Sequence, residues 1–275
     1  TLEGKTTYSD AAAAKLNGCL VTVSSYKRDY LTLSKVNGKG ASTALNLTTN
    51  RMGTKELSAG ARFFEQVSNG RLVEIDRSDI TITSIPANKI TYVGYDWAGR
   101  VDKLVLNDVT GDCYDYGMIY YRAAGYEESK DDGSEGSYQN GEIRVTNGSH
   151  TDGVSYVVGS VDGAKTNRMG GVAGSLDQLD GKNRMAAFMP LNEATGIRRA
   201  QFNTDAMLLT TNSMVIPISD KVECYNKTTG DWFKPGEDGD HKAALNLALA
   251  FSDDITVYYD RSPEEGGKVR IVVVE

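Results

Sequence analysis

The stretch "LTTNRMGTKEL", Leu47 to Leu57, returns in altered form as "LTTNSMVIPIS", Leu209 to Ser219. A shift of 162 residues lays Leu47, Thr48, Thr49, Asn50 and Met52 on Leu209, Thr210, Thr211, Asn212 and Met214, five identities in six positions. A repeated string of this kind points to a chain that carries one fold twice.

A shift of 160 aligns "FFEQVSNGRLVEI" with "ECYNKTTGDWFKP", placing Gly70 on Gly230 and the apolar pair Leu72 and Val73 on Trp232 and Phe233. Both read as strand, turn, strand, with Asn69-Gly70 a hairpin signal. A shift of 165 lays Ile80 on Leu245, Ile82 on Leu247 and Ile90 on Ile255. The copies then close alike, Tyr95, Asp96 and Val101 matching Tyr259, Asp260 and Val269 around a longer second turn. Duplication therefore predicts that Val101 and Val269 occupy equivalent inward positions.

Apolar residues alternate along short segments such as Val21 and Val23, Leu31 and Leu33, and Ile80 and Ile82. Abundant Gly, Tyr, Thr and Val agree with strands joined by tight turns. The fold expected is mainly β: two duplicated small β-barrel-like domains, which leave few exposed sheet edges. The first spans 1–112. The second spans 113–275 and has an enlarged front half, a strand-rich insert at 113–182 ahead of repeat copy 183–275. In that insert "YDYGMIYYR", "GEIRVTNG" and "GVSYVVG" read as strands, and "EESKDDGSEGS" as a polar loop. The run Leu245, Leu247, Leu249 and Phe251 has period two and reads as a strand. Helix signals are confined to "SDAAAAKLNG" and "AGSLDQLDG".

The net charge of −7 is spread along the chain, so the basic footprint of a nucleic-acid binder is missing. No run approaches the length of a membrane span. The polar start "TLEGKTTYSD" leaves a cytosolic protein or a fragment or mature form without its targeting segment, and its abruptness favours the second. Cys19, Cys113 and Cys224 are far apart and read as small buried residues.

Catalytic signals are weak. His150 and His241 lie in polar turns and read as solvated, and no nucleophile elbow occurs. "GGVAG" at Gly170 to Gly174 lacks the Lys and Ser/Thr of a phosphate loop and reads as a flexible loop. A carboxylate-pair glycosidase leaves no sequence signature and stands as a minor alternative. Calcium is the one cofactor considered, with Asp108, Asp112 and Asp115 as oxygen ligands; Glu237, Asp238 and Asp240 form a second acidic turn. Asp and Gly also populate turns for conformational reasons, which is the preferred reading. For ligand binding, Trp97 sits in a tight turn where burial is hard to arrange, and Tyr114, Tyr116, Tyr120 and Tyr121 could build a platform. Trp232 reads as core.

The segments "GRVDKLVLNDVTGDCYDYG", "YNKTTGDWFKP" and "ITVYYDRSPEEGGKVRIVVVE" resemble the β-rich, non-anchoring regions of bacterial surface proteins that carry S-layer-homology domains. The resemblance covers roughly 90–120 and 205–275. It implies an extracellular, cell-surface module without catalytic residues, acting as spacer, lattice or display region. Its partners would be neighbouring surface proteins or cell-wall polymer, and a carbohydrate-binding or wall-polymer-binding module is the alternative.

Overall fold

In the computed structural model, residues 5–6, 16–27, 30–36, 38–125, 127–129, 135–137, 140–159, 161, 164–179 and 182–275 are described. The predicted helix in "SDAAAAKLNG" falls mostly outside them. The chain is mainly β, with a closed five-stranded barrel and a curled half-barrel sheet. It divides into two units, Thr1–Cys113 and Tyr114–Glu275.

The first unit opens with β1 (Lys5–Thr6), β2 (Val21–Lys27) and β3 (Tyr30–Lys35), a sheet of order β1-β3-β2. There follow β4 (Leu45–Asn46), β5 (Arg51–Met52), β6 (Lys55–Gln66), β7 (Val73–Ile75), β8 (Ser84–Ile85), β9 (Ile90–Tyr95) and β10 (Val101–Asn107). These form one sheet in the order β8-β4-β5-β6-β10-β9, with β7 on β6. Its core gathers Leu45, Phe63, Ile80, Ile85, Val101 and Leu104, alternate residues of the strands together with the connection that covers them.

The second unit starts with β11 (Asp115–Arg122), β12 (Glu127–Ser129), β13 (Glu135–Ser137), β14 (Gly141–Thr146), β15 (Val154–Val158), β16 (Arg168–Leu179) and β17 (Lys182–Pro190). β11, β14, β15, β17 and β16 close into a barrel in that order, filled by Ile119, Ile143, Val145, Tyr156 and Val172. The segment read as a polar loop contributes the small ladder β12–β13. Both "GGVAG" and "AGSLDQL", read as loop and helix, lie within β16. Long-range pairing with β17 and β11 decides that strand. Its glycines admit neighbouring rings: a Cβ at Gly171 would stand 2.6 Å from the Tyr116 ring, and one at Gly174 2.8 Å from that of Tyr156.

The unit ends with β18 (Asn192–Ile197), β19 (Phe202–Asn203), β20 (Leu208–Thr210), β21 (Val215–Asn226), β22 (Asp231–Phe233), helix α1 (His241–Phe251), β23 (Ile255–Tyr259) and β24 (Val269–Val274). The sheet order is β18-β23-β24-β21-β20-β19, with β22 on β21. The expected strand at Leu245 to Phe251 is thus helical. Asp240 caps it by accepting the Ala243 N–H at 3.2 Å, and Ala, Leu and Lys favour the helix. Ala244, Leu245, Ala248 and Leu249 face the core, while Leu247 and Phe251 are exposed. The alanines complete a helical stripe that the leucines alone disguise as period two.

The duplication is real, and the ladders give its register. In the first sheet β10 runs parallel to β6, with Val101 opposite Leu57 and then, across a bulge, Lys103 opposite Arg62. In the second, β24 runs parallel to β21, with Val269 opposite Ile218 and Ile271 opposite Glu223 across the same bulge. Val101 and Val269 are equivalent and fully buried. Tyr95 and Tyr259 pair with them, and Ile90 and Ile255 occupy matching ends of β9 and β23.

The string that first suggested the repeat is not in equivalent places. Leu45 opposite Met52 and Asn46 opposite Arg51 correspond to Phe202 opposite Leu209 and Asn203 opposite Leu208. Asn50 and Met207 both have positive φ, 53° and 49°, and their carbonyls accept from the N–H of Leu57 and Ile218, each at 2.8 Å. The structural counterpart of "LTTNRM" is therefore "TDAMLL", Thr204 to Leu209, five residues before "LTTNSM". The 160-residue alignment is off as well: Phe63 and Ile75 match Cys224 and Phe233.

Candidate functional site

The most exposed aromatic side chain among the described residues is presented by the β9–β10 turn. Tyr95 pairs with Val101, and the chain reverses through Asp96, Trp97, Ala98, Gly99 and Arg100. The Asp96 N–H donates to the Arg100 carbonyl at 2.8 Å. Its Oδ1 accepts the N–H groups of Ala98 and Arg100, both at 2.9 Å, and Oδ2 accepts Arg100 Nε at 2.8 Å. The Arg100 backbone N–H, then the Arg100 side chain, hold the Asp96 carboxyl below its ordinary range. Gly99 supplies the φ of 78° that the turn needs. So constrained, the turn leaves the Trp97 side chain 97% exposed, beside a Tyr95 that is 51% exposed and has Lys55 Nζ 5.9 Å from its ring centre. The indole contributes nothing to the core.

The equivalent turn of the second repeat is closed by Asp260, which is buried. Asp260 Oδ1 accepts the N–H groups of Arg261 and Lys268 at 2.9 and 2.8 Å, and Oδ2 is gripped by Arg270 at 2.9 Å from Nε and 2.8 Å from the terminal nitrogen. The Tyr116 hydroxyl approaches Oδ2 at 3.4 Å, and the Arg270 guanidinium lies 4.8 Å from the Tyr116 ring centre. One motif thus presents an indole to solvent in one copy and fastens a sheet to a barrel in the other.

The tyrosines do not form one platform. Tyr114 and Tyr116 are buried with ring centres 5.9 Å apart, Tyr121 packs against the barrel core, and Tyr120 is exposed beneath the Arg144 guanidinium at 5.1 Å. Strand alternation separates Tyr120 from Tyr121. Trp232 is half-buried, its ring tilted at 52° against that of Tyr225 with centres 4.9 Å apart, and Phe233 reaches the core instead.

Two further carboxylates are buried. Glu65 accepts the N–H groups of Val109 and Thr110 and the Thr110 hydroxyl; burial pushes its pKa up. Glu223 accepts the Gly148 N–H at 2.9 Å and the Ser149 hydroxyl at 3.1 Å. Burial, opposed by those two bonds and reinforced by the Asp115 charge, pushes it up to about 7. His241, read from the sequence as solvated, is half-buried: its Nδ1 lies 3.1 Å from the Val222 carbonyl and 3.7 Å from Glu223. Burial lowers its pKa. In this group the acid stands between serine and histidine, whereas an activated serine needs the histidine in the middle. His150 is exposed, as expected.

Among the described residues no three His, Cys, Asp or Glu side chains gather as a metal site. Asp108 adopts a φ of 51°, the Asp112 N–H donates to Thr110 Oγ1 at 3.2 Å, and Asp115 accepts the Tyr156 hydroxyl at 2.7 Å. Asp240 is the helix cap. Cys224 is buried, which raises its pKa; Cys19 and Cys113 are half-buried, short of the burial expected. Among the described residues no helix is long and apolar enough to cross a membrane. Sequence reading found Trp97 through its turn but missed Tyr95, Lys55 and Glu223, whose neighbours are set by pairing between distant strands. No family model, curated protein or solved structure matches the chain.

Proposed function

We propose that the chain is a non-catalytic, extracellular module of a bacterial surface protein, serving as spacer, lattice or display region. One observation carries this reading: among the described residues, the three buried carboxylates are each committed to joints of the framework. Glu65 ties the end of β10 to β6, Glu223 ties the β14–β15 loop to β21, and Asp260 closes the β23–β24 turn. Groups so engaged stabilise the fold and are poorly placed to exchange protons with a substrate. The resemblance of the closing strands to surface-protein regions supplies the setting.

A second reading, a glycan or wall-polymer binding module, is favoured by the exposure of Trp97 beside Tyr95. An indole on a fixed turn suits stacking on a pyranose face.

Cosedimentation of the chain and of Trp97→Ala with isolated bacterial cell wall and insoluble glycans, with sedimentation velocity of the chain alone, tests both. Self-association without retention supports the structural reading. Retention lost in Trp97→Ala supports the binding reading, and release of new reducing ends from any glycan overturns the non-catalytic assignment.

A further inference from the structure

The first three strands of the chain repeat part of the barrel. β1 runs parallel to β3, with Lys5 opposite Tyr30 and Thr6 opposite Leu31, and β2 runs antiparallel to β3 across residues 28–29. Inside the barrel, β15 runs parallel to β17, with Val157 opposite Arg184, and β16 runs antiparallel to β17 across residues 180–181. The orders β1-β3-β2 and β15-β17-β16 are therefore the same in chain sequence, in neighbours and in pairing sense.

Their place in the repeat is also the same. After β17 the chain enters the second sheet, where Ile197 pairs with Ile255. After β3 it enters the first sheet, where the Ala41 N–H donates to the carbonyl of Ile90, the counterpart of Ile255. The repeat thus takes in at least three strands ahead of each sheet, β1 to β3 in the first copy and β15 to β17 in the second.

The barrel has two strands that the described residues of the first copy do not match. β11 pairs with β16 on one side and β14 on the other, and β14 pairs with β15, which closes the circle. The corresponding edges of β2 and β1, those turned away from β3, pair with no strand among the described residues. An open edge presents a row of backbone donors and acceptors, a template for added strands.

We infer that β1, β2 and β3 are the last three strands of a second barrel and form a docking surface for an antiparallel strand pair of the β11–β14 kind. A pair placed on the N-terminal side of β1 meets both edges, as β14 precedes β15 across residues 147–153 in the barrel. Main-chain hydrogen bonds along both edges hold it, and inward apolar residues at alternate positions, as Ile119, Ile143 and Val145 provide in the barrel, fix its register. The β11 and β14 of another copy are already paired on both sides, so donation between molecules requires opening a closed barrel.

The test fuses a duplicate of Tyr114–Gly153 ahead of Thr1 of the full chain and follows amide hydrogen exchange across β2. A control carries Ile119→Asp and Ile143→Asp in the added duplicate alone. The fused chain should exchange about tenfold or more slowly across Val21–Lys27 than the parent, and the control should not. Unchanged exchange in the fused chain, or equal slowing in the control, overturns the inference. If the fused chain does not fold, the same segment added as a free peptide to the parent decides: slowed exchange in β2 supports the strand-pair site, and unchanged exchange overturns it.

Discussion

Asp96 and Asp260 close the same turn in the two repeats with the same backbone bonds, yet the first lies at the surface and the second is sealed against Arg270. Removing one partner of a buried ion pair leaves the other charge uncompensated, at about 3 to 5 kcal/mol. Asp260→Ala should therefore cost several times more stability than Asp96→Ala, and Asp260→Ala with Arg270→Met should recover part of the loss. Urea unfolding of the four chains measures this.

Glu223 makes stability depend on pH. Its folded pKa of about 7 lies above the ordinary value of 4.5, so between those values the folded chain holds a proton that the unfolded chain has released. Stability contributed by this residue is fully present below about 4.5, falls as pH rises towards 7, and is flat beyond. The loss should be roughly 3 kcal/mol. Glu223→Gln, which mimics the protonated acid, should remove that slope; equal slopes in both proteins would dismiss the assignment.

Helix α1 separates side chains that a strand would treat alike. Leu249→Ala should cost about 2 to 5 kcal/mol by emptying core volume, while Leu247→Ser should lie within about 0.5 kcal/mol of the parent. Thermal melts of the two variants distinguish helix from strand without further structure determination.

Trp97 and Trp232 should be separable by fluorescence. Trp97→Ala should leave stability within about 0.5 kcal/mol of the parent while removing the red-shifted, iodide-quenchable part of the emission. The remaining signal, from the half-buried indole packed against Tyr225, should resist quenching.

Much of the β framework could be read from alternation, and the pairs Tyr95/Tyr259, Ile90/Ile255 and Val101/Val269 hold because each lies in a strand whose partners are also repeated. The opening identity of Thr48, Thr49 and Asn50 with Thr210, Thr211 and Asn212 misleads because turns reuse a small set of polar residues whatever their register. Leu245 to Phe251 misleads because leucines two apart satisfy a strand pattern while interleaved alanines satisfy a helical one. The candidate site was half legible. An indole in a five-residue reversal announces its exposure locally, whereas the burial of Glu223 depends on Gly148 and Ser149, far off in sequence, and no local pattern carries it.

The parallel ladders of β10 on β6 and β24 on β21 have a mechanical consequence. Each of β10 and β24 is clamped between two neighbours, so tension along the strand loads its inter-strand hydrogen bonds together in shear, where a hairpin pulled from its open end would peel bond by bond. The chain has placed its most completely buried strand, Val269 to Val274, where such a pull would be resisted by every rung at once.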